Sequence, residues 1–273
     1  MSSTPLKTAI VYPDSDGAPM AESDSARDYL TYSVEALQLY FQDRENVYVS
    51  GNLFIYYQQG TPSAVIAPDV FVIFGVEKKL RMSYKTWEEN NQIPQFILEI
   101  TSKTTQIQDE EDKPIKYARL GVREYFQYDP TGDYLNPQLK GATLSEGKYK
   151  SKIATKIDER DYKIVSEVLG LELHLRKGKL RFFDSSTGEY LRSYQEIELA
   201  RQQAELESQQ ERIARQQAEL ESQQERIARQ QAEERIKEAI PRLQALGLSL
   251  EQIASTLNLS LGEIESFLTP PQD

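Results

Sequence analysis

The chain has 273 residues, of which 39% are hydrophobic, and carries a formal net charge of −11. This length suits one sizeable domain with an appendage, or two small domains. The absence of cysteine excludes disulfides, thiolate metal sites and cysteine nucleophiles. No signal-peptide pattern and no apolar run near the roughly 18 residues of a membrane span are present, so we expect a soluble cytoplasmic protein. The acidic charge argues against a general nucleic-acid binder, but a local surface can differ from the total.

The first 24 residues are rich in Ser, Asp, Pro and Ala and predict a flexible N-terminal arm. Ser25, followed three residues later by Asp28, fits a helix-capping pattern. Apolar residues then recur at spacings of three and four, which predicts a helix ending near Asp43.

A strand–helix–strand unit is predicted in the middle of the chain. Two continuous apolar runs, Val70 to Phe74 and Phe96 to Thr101, are typical of strands buried on both faces. A helix is predicted from Gln108 to Leu120, with Gly121 as its C-cap, and a further strand from Val122 to Tyr128. Such a unit favours a right-handed crossover between parallel strands. Upstream, residues 46–57 also predict strand, with a bend at Gly51-Asn52.

Two carboxylates interrupt these apolar runs. Alternation places Asp69 on one face of its strand and Glu99 on one face of the next, so neighbouring strands would bring both to one point. Unpaired charges are costly in buried strands, and a shared divalent metal ion is one explanation. The alternative is structural: Asp69 caps a turn after Pro68, and Glu99 forms a salt bridge with Lys113 or Lys103.

From about residue 134 the pattern changes to short strands and turns, with a hairpin predicted across Lys177-Gly178. The single histidine, His174, alternates with apolar residues and shares a polar face with Glu172 and Arg176. We expect His174 to be a surface residue without a catalytic role.

Residues 196–240 contain a nearly exact fourteen-residue repeat and predict a long helix. Five apolar residues follow one another at intervals of seven, whereas the companion seam position is glutamine in either register. A weak coiled coil and a solvated charged helix both fit this pattern. The apolar series consists of Leu199, Leu206, Ile213, Leu220 and Ile227.

Residues 241–273 predict a small pair of helices with helix-turn-helix spacing. Ser249 with Gln252, and Ser260 with Glu263, form two capping-box patterns. No Lys or Arg follows Arg242, and a DNA-recognition helix normally carries cations. The pattern therefore favours packing or protein contact over nucleic-acid recognition.

Several motifs occur in a characteristic order: PDVFVIFG, then FILEITS, then KPIKY, then GVREYFQYDP. In this order and spacing they resemble the Uma-two endonuclease family, which is widespread in cyanobacteria and belongs to the PD-(D/E)XK superfamily. The resemblance covers roughly residues 27–195. It implies a restriction-endonuclease-like α/β domain over about 25–195, a mixed central sheet flanked by helices, followed by the long helix or coiled coil and the short helical pair.

The same resemblance assigns a metal site. Asp69 corresponds to the aspartate of the PD motif and Glu99 to the acidic residue of the second motif. The backbone carbonyl of Ile100 would complete the protein ligands to Mg²⁺ or Mn²⁺. Carboxylate and carbonyl oxygens suit Mg²⁺, which keeps several of its own waters.

The catalytic lysine departs from the superfamily pattern. The usual position, two residues after Glu99, is Thr101 here. The family resemblance places a lysine on the following helix instead, where Lys113 matches, four residues before Tyr117. Lys103 is the rival, since it continues the face of Glu99 and Thr101.

The implied activity is metal-dependent hydrolysis of DNA phosphodiester bonds by Asp69, Glu99 and Lys113. Cutting two strands favours paired active sites, so we expect a homodimer, formed through the C-terminal helix. Fold alone does not fix function. The alternative is a catalytically silent nuclease-fold scaffold that acts as a binding or assembly protein through its coiled coil.

Overall fold

The computed structural model describes residues 10–15, 23–102 and 105–268. Two compact units divide the chain, one ending at Leu199 and the other beginning at Ala200. The strands of the first unit are β1 Val47–Ser50, β2 Ile55–Tyr56, β3 Val65–Ile66, β4 Val70–Phe74, β5 Tyr84–Lys85, β6 Phe96–Ile100, β7 Glu124–Tyr128, β8 Leu139–Ser145, β9 Lys148–Ser151, β10 Thr155–Lys156, β11 Tyr162–Ser166, β12 Leu171–Arg176, β13 Lys179–Asp184 and β14 Glu189–Tyr190. The helices are α1 Asp24–Tyr40, α2 Lys113–Leu120, α3 Tyr194–Ala245, α4 Leu250–Leu257 and α5 Leu261–Leu268.

Helix α1 begins two residues earlier than the sequence predicted. Its N-cap is Ser23, whose side chain accepts a hydrogen bond from the backbone N–H of Ala26. Ser25, the predicted cap, lies inside the first turn instead. Both serines can satisfy orphan N–H groups, so the sequence alone did not separate them. The helix ends at Tyr40, before the predicted Asp43.

The central sheet has six strands in the order β1-β4-β6-β7-β8-β9. Strands β4 and β6 are antiparallel neighbours, whereas β6 and β7 run parallel and are joined through α2. The predicted crossover unit is therefore confirmed. Strands β6 and β7 are both buried along their whole length. The apolar run of β6 predicts this burial, whereas β7 also buries the polar residues Glu124 and Gln127. This mixed α/β arrangement is consistent with a restriction-endonuclease-like fold.

Each face of the central sheet is covered. One face packs against α1 and a five-stranded antiparallel sheet of order β10-β11-β12-β13-β14. The other face packs against α2 and a small sheet of order β3-β2-β5. The second core carries the candidate site, because Phe71, Ile73 and Ile97 lie on the same strand faces as the two acidic side chains.

The prediction for His174 was wrong in one respect. The hairpin β12–β13 turns at Lys177-Gly178 as predicted, and His174 faces Glu172, with 2.8 Å between Nε2 and Oε2. However, His174 is only 6% exposed and stacks on the ring of Phe183. Burial lowers the pKa of His174 below its ordinary value, against the opposing effect of Glu172. The alternation of polar and apolar residues along β12 predicted the face on which His174 lies, but not that the ring of Phe183 covers it.

In the second unit, the end of α3 forms a small apolar core with α4 and α5. Ile240, Ile253 and Ile264 are buried at its centre. Both predicted capping boxes are formed, at Ser249 and at Ser260. Asn258 adopts a left-handed conformation with φ 54°, which ends α4 and makes the tight turn into α5.

The described ranges contain no helix that is both long enough and apolar enough to cross a membrane.

Candidate active site

Asp69 lies at the entry to β4, directly after β3 and Pro68. The neighbouring bend at Gly51-Asn52 holds this segment in place, since the backbone N–H of Asn52 donates to the carbonyl of Pro68 at 3.0 Å. Gly51 is required here because a Cβ at this position would overlap the carbonyl oxygen of Asp69. The bend that follows β1 therefore fixes the backbone that presents the Asp69 carboxylate.

Glu99 lies on β6, beside Asp69. Register pairs Val70 with Leu98, so Asp69 and Glu99 come together at adjoining positions of antiparallel strands. The Asp69 carboxylate accepts a hydrogen bond of 2.7 Å from the backbone N–H of Ile100. Glu99 is completely buried and accepts a 3.4 Å hydrogen bond from the backbone N–H of Asp69. The two carboxylates thus share one site at the edge of a closed core.

Lys113 projects into this site from the first residue of α2. Its Nζ lies 2.9 Å from Oε2 of Glu99. One turn later on the same helix face, Tyr117 donates a 2.5 Å hydrogen bond from its hydroxyl to Oε1 of Glu99. Both oxygens of Glu99 are therefore occupied, one by a cation and one by a buried phenol.

Asp109 is a fourth member of the site, and the sequence analysis did not single it out. It lies in a π-helical turn, Gln108–Asp112, that leads directly into α2. Its Oδ1 is 2.7 Å from Lys113 Nζ, and the residue is 0% exposed. The spacing of four residues before Lys113, repeated between Lys113 and Tyr117, is the signal that would have identified it.

The site holds more negative charge than its lysine neutralises. Loss of hydration, reinforced by the charge of Glu99, raises the pKa of Asp69 well above its usual range despite Lys113. Burial lowers the pKa of Lys113, but the charges of Glu99, Asp109 and Asp69 outweigh it and raise the pKa above its ordinary value. Burial also raises the pKa of the Tyr117 hydroxyl, which keeps it a donor.

The other residues that the sequence motifs point to are Ile100, Thr101 and Lys103. Ile100 contributes its backbone N–H to Asp69. Thr101, at the usual lysine position, is buried, and its hydroxyl has no hydrogen-bond partner in the described part of the chain. Lys103 lies outside the described residues. Within those residues no group of three or more His, Asp or Glu side chains has the arrangement of a metal-ligand cluster.

Two clefts lie along α2 beside the site. The smaller, of about 300 Å³, reaches from β3 to Lys113 and Tyr117. The larger, of about 480 Å³, continues along the outer face of α2. Asp112 and Lys116 line both of them, and Arg119 lines the larger one. Lys116 and Arg119 are exposed.

The basic residues between β4 and β5 contact other parts of the protein. Arg81 donates to Glu89 at 2.9 Å and lies over the ring of Tyr48. Lys79 also pairs with Glu89, at 3.2 Å, and Lys78 donates to backbone carbonyls after α1. These contacts hold the loop against the rest of the protein, whereas Lys116 and Arg119 are exposed at the clefts beside the site.

The family of the chain follows from its similarity to known proteins. Searching curated proteins produced no match. A family model described as "putative restriction endonuclease", Uma2, matches residues 18–176. That match spans more than half of the chain and includes every candidate site residue described above, from Asp69 to Tyr117. The chain therefore belongs to the Uma2 family.

Proposed function

We propose that this protein is a Mg²⁺- or Mn²⁺-dependent endonuclease that hydrolyses phosphodiester bonds in DNA. The observation that carries the proposal is the convergence of Asp69, Glu99 and Lys113 from three separate elements onto one site. Membership of a restriction endonuclease family supports the nuclease class and DNA as the class of substrate.

The residues fit a divalent cation. Three carboxylates, those of Asp69, Glu99 and Asp109, lie around the single ammonium group of the lysine. Negative charges therefore outnumber positive charges in the site. Buried carboxylates without compensating charge are unfavourable, and the oxygen donors are those that Mg²⁺ and Mn²⁺ prefer. Asp69 and Glu99 would hold the ion, with the carbonyl of Ile100 as a further ligand.

The metal ion and the side chains would have different roles in phosphodiester hydrolysis. A bound Mg²⁺ supplies Lewis acidity and lowers the pKa of a coordinated water. Lys113 carries a positive charge next to the same carboxylates and would stabilise the charge that develops on the phosphoryl oxygens. Tyr117 keeps Glu99 in one orientation through its short hydrogen bond. The two clefts along α2 provide a path for the substrate strand, with Lys116 and Arg119 positioned for its phosphates.

We further propose that the protein is a homodimer assembled through α3. The five apolar residues of the heptad series are each more than half exposed in the single chain, between 52% and 58%. A second copy of the same helix would cover them, with glutamine at the companion seam position. The same surface supports the alternative function, a silent nuclease-fold scaffold that works through its coiled coil.

The test is cleavage of supercoiled plasmid by the purified full chain with Mg²⁺ or Mn²⁺, beside Asp69→Ala and Glu99→Ala. Glu111→Gln, an exposed acid on the turn before α2, is the matched control. We expect metal-dependent nicking in the wild type and the control, and none in the two site variants. Nicking that survives both substitutions contradicts the assigned site. An inactive wild type that binds no Mn²⁺ favours the scaffold.

A further inference from the structure

The Asp109 carboxylate is enclosed in the protein, and its side chain is 1% exposed. Neither of its oxygens makes a hydrogen bond with the residues that the structure describes. Oδ1 forms an ion pair with the ammonium of Lys113, at 2.7 Å. A buried carboxylate of this kind costs free energy unless it serves a nearby charge. Its contacts identify that charge as Lys113.

The backbone around Asp109 is fixed independently of its side chain. Its carbonyl accepts hydrogen bonds of 2.8 Å from the hydroxyl of Tyr125 and from the side-chain amide of Gln127. Both donors belong to β7, which is the parallel neighbour of the Glu99 strand. Single π-helical turns occur frequently at functional sites, and this one is tied to the sheet directly beneath the candidate site.

Lys113 has two anionic partners, Glu99 and Asp109, and only one of them is also an assigned metal ligand. Oε1 of Glu99 accepts a hydrogen bond from Tyr117, so a divalent ion held by Glu99 would compete with the ammonium for Oε2. Without a second partner, Lys113 would either hold Glu99 against the ion or lose its counter-charge.

We infer that Asp109 is a positioning residue, which retains the Lys113 ammonium beside the site when a divalent ion occupies Glu99. This inference rests on the proposed function, because it takes Asp69 and Glu99 as the metal ligands. Asp109 acts through Lys113 and does not itself bind the ion. In the absence of metal, the ammonium bridges both carboxylates; in its presence, Asp109 is the partner that remains.

The competing role for Asp109 is direct ligation of the metal. The two roles differ in how Asp109 and Lys113 depend on each other. A positioning residue matters only while Lys113 is present to compete for Glu99. A ligand matters whether or not Lys113 is there. A double-mutant cycle therefore separates them.

The experiment is calorimetric titration of Mn²⁺ into the full chain, comparing the wild type, Asp109→Asn, Lys113→Met and the double variant. Glu111→Gln carries the same loss of charge on the same helical turn and serves as the control. We expect Asp109→Asn to weaken Mn²⁺ binding by about tenfold, because the ammonium would then pair with Glu99 alone and compete with the ion. Changes to the contacts around a metal ligand typically cost at least this much. In the Lys113→Met background the same change should alter the dissociation constant by less than about twofold, the usual limit of additivity.

An equal weakening in both backgrounds would make Asp109 a ligand and overturn the inference, as would a single variant that binds Mn²⁺ like the wild type. A wild type that binds no Mn²⁺ would instead refute the metal site of the proposed function. Thermal unfolding establishes that each variant is folded. If Asp109→Asn is not, a crystal structure of the wild type grown with Mn²⁺ decides: Lys113 on Asp109 and away from Glu99 supports the inference, and Asp109 on the ion overturns it.

Discussion

Tyr117 determines how Glu99 can present its carboxylate. The phenol is buried, and its 2.5 Å hydrogen bond leaves Oε1 of Glu99 with one fixed donor. We expect Tyr117→Phe to lower the cleavage rate at limiting Mg²⁺ by about tenfold, which is typical of removing a hydrogen bond to a metal ligand. The check is the Mg²⁺ dependence of plasmid nicking. Tyr149→Phe is the control, because its hydroxyl donates to the carbonyl of Val122 rather than to a carboxylate. Equal rates in both variants would contradict this role for Tyr117.

Asp129 shows how a buried carboxylate is stabilised without a metal or a lysine. It is 0% exposed and accepts hydrogen bonds from the backbone N–H groups of Thr131, Tyr134 and Leu135, at 2.9, 2.6 and 3.0 Å. Burial opposes ionisation, but these donors outweigh it and lower the pKa of Asp129. Since the folded pKa lies below the unfolded value of about 3.9, the stabilisation is present above that pH and is lost as the pH falls through the folded pKa.

Asp129→Asn should therefore lower the free energy of unfolding by about 2 kcal/mol at neutral pH, because the new NH₂ group faces backbone donors. The difference from the wild type should shrink as the pH is lowered to about 3. Urea unfolding followed by the fluorescence of Trp87, the single tryptophan, measures it. Asp133→Asn, in the same loop but exposed, is the control. A difference that stays constant with pH would mean that the charge of Asp129 does not contribute.

The exposed apolar residues of the α3 heptad series predict that two copies of the chain pair through this helix. Residues seven apart drift by about 20° per heptad around a straight helix, so only a left-handed supercoil keeps them on one partner. Leu206→Gln with Leu220→Gln should convert a dimer into the 31.3 kDa monomer, as measured by sedimentation equilibrium. Ala204→Gln with Ala218→Gln changes the opposite face of the same repeats and should leave the dimer intact. A wild type that sediments as a monomer would refute the assembly.

How far the sequence predicts this fold depends on the range of the interaction. Apolar runs identified β4, β6 and β7, and their linking helix, because strand burial and helix periodicity are local signals. The parallel pairing of the two-residue strands β2 and β5 is a long-range contact with no such signal. The same holds for the site: Asp69, Glu99 and Lys113 could be named from motif and alternation. Asp109 shares the four-residue spacing of Lys113 and Tyr117, but its burial beside Lys113 is a tertiary feature that spacing alone does not give.

The net charge of −11 bears on how the chain would bind DNA, its proposed substrate. Without a divalent ion the site is acidic, and among the described residues the exposed cations that line its clefts are Lys116 and Arg119. DNA affinity should therefore depend on metal and on a small number of phosphate contacts, rather than on a broad basic surface. Substrate binding by this chain is expected to be weak at physiological salt and to strengthen when Mg²⁺ neutralises the carboxylates.

Lys116 and Arg119, the two cations of the α2 clefts, should contribute phosphate contacts that make DNA binding depend on salt. Lys116→Ala with Arg119→Ala should reduce the steepness of the salt dependence of duplex binding by about 2, since each phosphate contact contributes about 0.9 to the slope. Fluorescence anisotropy of a labelled duplex with Ca²⁺ in place of Mg²⁺, over a series of salt concentrations, measures that slope. Lys148→Ala with Lys179→Ala removes two exposed cations elsewhere in the first unit and should leave the slope unchanged. If both pairs change it equally, the cations act only through the net charge of the protein. A shift confined to the Lys116 and Arg119 pair would instead locate the substrate strand along α2.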